Sequence, residues 1–315
     1  MALNLTKTVI DFLQAHPEQR FTAREIAEWI LINHRSACEE KRQKSISVNY
    51  SRDLSTDEGF LNQLVAEIGS KKPRIVEKCP KIKTVEGRPR KYYFTEKSEA
   101  DEVKTAEASA PTNIESPSEH ELYIRVSNFL LSELGIYSKR IDEKRSKNSY
   151  GPRGNIWLHP DIVGLEDLST EWDREIKDCV KEYGDRKTKL WSFEVKILVN
   201  RSNVRESFFQ AVSNSSWANF GYLVAAEIQG ADTLKEMRML AGLHGIGFIL
   251  LNAGNPAESE IVIPAREREK IDWSAANRLA EENKDFLDYI RLVKQFYQTG
   301  EVRPGDWDVS DAGDL

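Results

Sequence analysis

The chain has 315 residues, 45 Lys+Arg against 51 Asp+Glu for a formal net charge of −6, and 40% hydrophobic residues. That length suits two domains, each with its own core. No apolar run approaches a membrane span and the first residues show no signal-peptide layout, so the chain is expected to be cytoplasmic, with no membrane partner. Cys38, Cys79 and Cys179 have no Cys-x-x-Cys or nearby-His spacing, which excludes a recognisable zinc site, and their odd number points away from a disulfide scaffold.

The charge is unevenly spread. Residues 1–97 hold 18 Lys+Arg against 13 Asp+Glu, whereas residues 119–315 hold 26 against 33. Affinity for phosphate is therefore expected from the N-terminal part.

Leu5, Val9, Ile10, Phe12 and Leu13 repeat at helical spacing until His16-Pro17. Thr22 and Glu25 form a capping box ahead of a second stripe at Ile26, Ala27, Trp29 and Ile30. Residues 35–53 read as a short basic helix with a loop. Ser55 or Thr56 caps a third helix over about 57–68, with Phe60, Leu61, Leu64, Val65 and Ile68 inward and Gly69 as its end. Residues 74–78 and 91–94 then read as two strands joined through Glu86-Gly87-Arg88-Pro89-Arg90.

Three helices and a basic hairpin resemble a winged helix over residues 1–97. From Lys71 to Lys91 nine Lys+Arg stand against two acids, a density suited to DNA phosphates, with Lys81, Lys83, Arg88, Arg90 and Lys91 as candidate contacts. Gly87-Arg88-Pro89-Arg90 is also similar to short Gly-Arg-Pro elements of AT-rich minor grooves. Asn62 and Gln63 on the third helix are candidates for reading base edges. Their neighbours Asp57, Glu58 and Glu67 would repel phosphate, which leaves the wing as the stronger contact. The alternative for such a hairpin is protein contact, with its lysines merely solvated.

Residues 98–118 have few large apolar side chains and two prolines, and read as a flexible acidic linker. Beyond it, Ser118 caps a helix with Leu122, Val126, Phe129, Leu130 and Leu134 inward, ending at Gly135. Lys139, Arg140, Lys144, Arg145, Lys147 and Arg153 make a basic loop. Residues 190–199 read as a buried strand, and its alternation sends Glu194 and Lys196 to one face while Trp191, Phe193, Val195 and Ile197 enter a core. Upstream, Asp161 follows Pro160 at a short apolar segment. An amphipathic stretch at 171–183 fills the gap between these carboxylates. Residues 203–218 follow as a helix with a polar face holding Glu206, Gln210, Ser213, Asn214 and Trp217. Strands at 221–226 and 247–252, a helix between them, a short strand at 260–264 and a terminal helix pair complete an α/β domain over 119–303. The tail 304–315 reads as acidic and loose.

Asp161, Glu194 and Lys196 resemble the Pro-Asp...(Asp/Glu)-x-Lys signature, PD-(D/E)xK, of the restriction-endonuclease-like nucleases. That resemblance implies a mixed sheet flanked by helices and a helix carboxylate at the site, Glu119 or Glu121. The bland reading of those two acids is a favourable first-turn interaction with the helix dipole. More specifically, Leu122-Tyr123, Trp157 to Gly164, Ser192 to Lys196 and Arg205 to Asn219 resemble the HrgA-like bacterial family, which joins a winged helix of the HARE type to such a nuclease domain. The resemblance implies a role in restriction or phage defence.

On this reading the chain is a metal-dependent DNA endonuclease. Asp161 and Glu194, with the carbonyl of Val195, would hold Mg2+ or Mn2+, hard ions that prefer oxygen. Lys196 would orient the attacking water or stabilise the transition state, and Gln210 would hold a phosphate, a water or Lys196. Cutting both strands with one site per chain favours a homodimer. The rival functions are a winged-helix regulator with a degenerate nuclease fold and an effector triggered by partner proteins of a defence system. The bland reading of Glu194 and Lys196 is a salt-bridged pair on an edge strand.

Overall fold

The computed structural model describes residues 3–48, 54, 56–108, 118–147, 157–184 and 187–308. The chain is mixed α/β and divides into two compact units, Met1–Ser98 with Gln229–Ala231, and Glu99–Ile228 with Asp232–Leu315. Among the described residues no helix is long and apolar enough to cross a membrane.

Unit 1 starts with α1 (Leu5–Ala15), β1 (Phe21–Thr22) and α2 (Ala23–Asn33), where the Thr22/Glu25 capping box is formed. Next come α3 (Arg35–Val48), α4 (Asp57–Lys78), β2 (Ile82–Glu86) and β3 (Lys91–Phe94). The three strands are antiparallel in the order β1-β3-β2, with Phe21 opposite Tyr92 and Ile82 opposite Phe94. Val9, Leu13, Ile26, Ile30, Phe60, Leu64 and Ile68 are fully buried between the helices.

Two expectations fail here. Gly69 does not end the third helix, and residues 74–78 are not a strand but the last turns of α4. The inward stripe of Phe60, Leu64 and Ile68 simply continues to Ile75 and Cys79 at helical spacing, and burying it outweighs the roughly 1 kcal/mol that an interior glycine costs. The hairpin strand is instead β2, whose inward face is Ile82, Thr84 and Glu86. Two polar residues on that face hide the alternation from a hydrophobicity pattern.

In unit 2, α5 (Glu99–Ala108) occupies the first half of the supposed linker, with Val103 buried. Three acids in its first turn suit the positive end of a helix; residues 109–117 lie outside the described residues. There follow α6 (Glu119–Leu134), β4 (Ile136–Arg140), β5 (Ile162–Asp167), α7 (Arg174–Glu182), β6 (Thr188–Val199), α8 (Val204–Asn214) and β7 (Phe220–Gln229). The unit closes with α9 (Ala231–His244), β8 (Gly247–Leu250), β9 (Glu260–Ile263), α10 (Trp273–Glu282) and α11 (Lys284–Thr299). Its sheet is mixed, in the order β9-β8-β7-β6-β5-β4, with β6, β7 and β8 parallel and the other neighbours antiparallel.

Helices cover both faces of β6, which is why its sequence is nearly continuous in large apolar residues. Trp191, Phe193 and Val195 pack with Leu122, Val126, Phe129 and Leu130 of α6. On the opposite face Leu190 joins Trp217, Phe286, Tyr289 and Phe296. Gly135 ends α6 in the left-handed conformation, φ 66°. Gly164 on β5 permits close packing, since a Cβ there would lie 2.6 Å from the Ile136 side chain.

The tail is not loose throughout. Trp307 is buried, the Asp308 N–H donates to the Ser138 carbonyl at 3.0 Å, and the Arg140 N–H donates to the Asp308 carboxylate at 2.6 Å. Residues 309–315 lie outside the described residues.

Candidate metal site and nucleic-acid surface

The end of the β5–β6 ladder is where the chemistry collects. β5 begins at Ile162, opposite Phe193. Just before it the Asp161 N–H donates to the Phe193 carbonyl at 3.1 Å, one residue off that register, and the preceding Pro160 has no N–H with which to carry the pairing on. The ladder stops there. The Val195 N–H turns to a side chain instead, donating to Asp161 Oδ2 at 2.7 Å.

Glu194, only 4% exposed, lies beside this opening. Its Oε1 accepts from Lys196 Nζ at 2.8 Å and its Oε2 from Asn214 Nδ2 at 2.9 Å. The same Asn214 amide donates to the His159 carbonyl at 2.8 Å, so one side chain of α8 ties the strand carboxylate to the segment carrying Asp161. Among the described residues, Asn214 Oδ1 and both ring nitrogens of His159 are buried without a hydrogen-bond partner. Burial pushes the His159 imidazole down to about 4, with the Glu282 charge opposing it.

Burial, and then the charge of Glu194, push the Asp161 carboxyl well above the ordinary range, while Lys196 and the Val195 N–H pull the other way. Burial disfavours the Lys196 ammonium, but Glu194, Asp161 and Glu119 outweigh it and hold the lysine above its usual value. One cation thus faces several carboxylates. Such a donor set, with two carboxylates and a strand carbonyl, fits a hard divalent ion. Among the described residues no three His, Cys, Asp or Glu side chains converge as a preformed metal cluster, so water would complete any coordination.

The structure sorts the remaining candidates. Glu121 is spent on the capping box of α6, its carboxylate accepting from the Ser118 N–H at 2.8 Å. The acid whose charge reaches Asp161 and Lys196 is Glu119, which accepts from the Tyr123 hydroxyl at 2.5 Å. Capping requires the third helical residue, so the spacing from Ser118 already distinguishes the two acids. Gln210 is largely buried on α8, one turn before Asn214; it is Asn214 whose amide meets Glu194. Both lie on the polar face read from the sequence, and only the length of α8 picks out the residue at its end.

Unit 1 presents a mixed picture. Arg88 and Lys91 are exposed at the hairpin, and Asn62 is exposed on α4. Arg90 folds back onto Glu86 at 2.8 Å, Lys81 pairs with Glu96 at 2.6 Å, and Lys83 donates to the Lys97 carbonyl at 3.1 Å. Gln63 is not available to a base edge, because its amide donates to Ser45 Oγ and Glu67 Oε1 at 3.1 and 3.0 Å. Three of the four acids of α4 are matched internally. Asp57 pairs with Arg35 and Arg42, Glu58 with Arg24, and Glu67 with Lys41. In unit 2, Arg140 lies over the Tyr123 ring, Lys139 contacts Asp308 and Arg145 pairs with Asp285; Arg153 lies outside the described residues.

No protein-family model, curated protein or solved structure matches the chain.

Proposed function

We infer that this chain is a metal-dependent DNA endonuclease of the restriction-endonuclease-like class, with unit 1 acting as a winged-helix DNA-binding module. The observation that carries the reading is the meeting of Asp161, Glu194 and Lys196 at the point where the β5–β6 ladder opens. Two carboxylates buried beside a single ammonium are short of positive charge, which a bound cation would supply.

In this proposal the Asp161 and Glu194 carboxylates and the Val195 carbonyl hold Mg2+ or Mn2+. The ion, when bound, supplies charge neutralisation at a phosphodiester and lowers the pKa of water. Asn214 fixes the Glu194 rotamer, and the Val195 N–H fixes Asp161, so neither carboxylate has to be ordered during the reaction. Lys196 supplies positive charge where the phosphate becomes more negative. In unit 1, a four-helix core followed by a hairpin that completes a three-stranded antiparallel sheet supports the winged-helix reading, with Arg88 and Lys91 on DNA phosphates. A place in restriction or phage defence follows from the HrgA-like resemblance.

A second reading has its own support. Both Glu194 oxygens are already engaged, by Lys196 and Asn214, which favours a DNA-binding regulator or an effector whose site opens only on a trigger. Incubating the chain with plasmid and linear DNA in Mg2+, Mn2+ and EDTA separates the two. Cutting that needs metal and falls about 100-fold or more in Asp161→Ala and Lys196→Ala is the expected result. DNA binding without cutting in any metal would overturn the enzyme reading.

A further inference from the structure

The helix α7 is the anomaly of unit 2, because none of its nine residues is buried. Yet it is strongly amphipathic. Ile176, Cys179, Val180 and Tyr183 fall on one helical face at the i, i+3, i+4, i+7 spacing that normally marks a core contact. Ile176 is 52% and Tyr183 89% exposed, Cys179 is exposed, and Trp172 just before the helix is also exposed. An apolar stripe of this kind is seldom left in water without a partner.

The charges beside the stripe say what kind of partner. Projected around the helix at about 100° per residue, Glu175 and Glu182 lie along one flank of the stripe and Lys177 along the other, with Lys181 farther round toward the back. Among the described residues none of these four is in an ion pair. When two copies of such a helix lie side by side and parallel about a two-fold axis, the left flank of each meets the right flank of the other. Acid then faces base on both sides of the seam. An antiparallel pair would set like against like.

We propose that α7 is a self-docking element, pairing in parallel with α7 of a second copy of this chain through Ile176, Cys179, Val180 and Tyr183. A nine-residue helix covers much less than the about 800 Å² per partner of a standard interface, so the pairing is weak, with Kd in the micromolar range. It is independent of the nuclease reading, and hydrodynamic mass in EDTA without DNA tests it separately.

The experiment follows the mass of the full chain by light scattering across a concentration series. The expected result is a shift from monomer to dimer. A short bis-maleimide should cross-link the dimer through Cys179 alone, because Cys38 and Cys79 are buried, and Cys179→Ser should abolish the link. Glu175→Lys with Glu182→Lys makes both flanks basic and should weaken dimerisation by about tenfold or more. Adding Lys177→Glu to the same chain faces acid with base again and should restore it. No α7 side chain is buried, so these variants keep the fold, which circular dichroism verifies. A wild-type monomer throughout the series, or a dimer unaffected by reversal of one flank, overturns the proposal.

Discussion

Glu86 in unit 1 and Glu194 in unit 2 are both carboxylates on an inward strand face, 7% and 4% exposed. Glu86 is surrounded by three donors, two of them cationic. Lys72 stands at 2.7 Å, the Thr84 hydroxyl at 2.8 Å and Arg90 at 2.8 Å. Burial alone would raise its pKa, but these partners outweigh burial and hold it below the usual carboxylate range. Glu194 has one ammonium and one amide, and a second carboxylate, Asp161, close enough to be pushed strongly upward. The first glutamate is balanced and structural. The second belongs to a cluster short of positive charge, which a bound cation would complete.

Substitution at Glu86 tests the structural half of that contrast and carries the largest expected effect on stability. Glu86→Ala leaves Lys72 and Arg90 facing each other over a buried gap and should destabilise unit 1 by about 3 kcal/mol, measured by denaturant unfolding. A loss below about 1 kcal/mol would mean that Glu86 is not holding the hairpin to α4.

At the other cluster the sign should reverse. Asp161→Asn removes one of two repelling carboxylates while keeping an oxygen to accept the Val195 N–H, so the metal-free chain should gain about 1 kcal/mol even as the proposed cutting is lost. A clear loss of stability in EDTA would show that the cluster is already balanced.

The smallest effect is in pH dependence. Because the folded pKa of Glu86 is depressed, its contribution is fully present above the unfolded value of about 4.3 and is lost as pH falls through the lower folded value. Stability of unit 1 should therefore decline with acidification in that window, and Glu86→Gln should flatten the curve. An identical slope in wild type and variant would assign the decline to other groups.

How much of this was legible depends on whether a signal is local. The parity of β6, which places Glu194 and Lys196 on one face and Phe193 and Val195 on the other, is dictated by strand geometry and needs no tertiary information. The two capping boxes, at Thr22 and Ser118, are equally local. Asn214 is different, because its role depends on where α8 ends against β6, and no periodicity supplies that. Glu86 reads as part of a loop in the sequence, since a buried carboxylate makes sense only once Lys72 and Arg90 are beside it. Gly69 looks like a helix end because glycine's intrinsic preference is local, whereas the buried stripe that overrides it is not, and Val103 and Trp307 are single apolar anchors in polar surroundings, too sparse to mark docked segments.

Trp307 and Asp308 have a consequence for handling the protein. β4 lies at one end of the unit 2 sheet, and such a border invites another chain to add a strand. Here the Asp308 N–H on the Ser138 carbonyl, and its carboxylate on the Arg140 N–H, occupy the bonding groups an intruding strand would use. Those few residues behave as a selvedge, the woven margin that keeps a cloth from unravelling. A chain cut back to Arg303 would keep every residue of the Asp161–Glu194–Lys196 cluster and still be the one that comes out of solution.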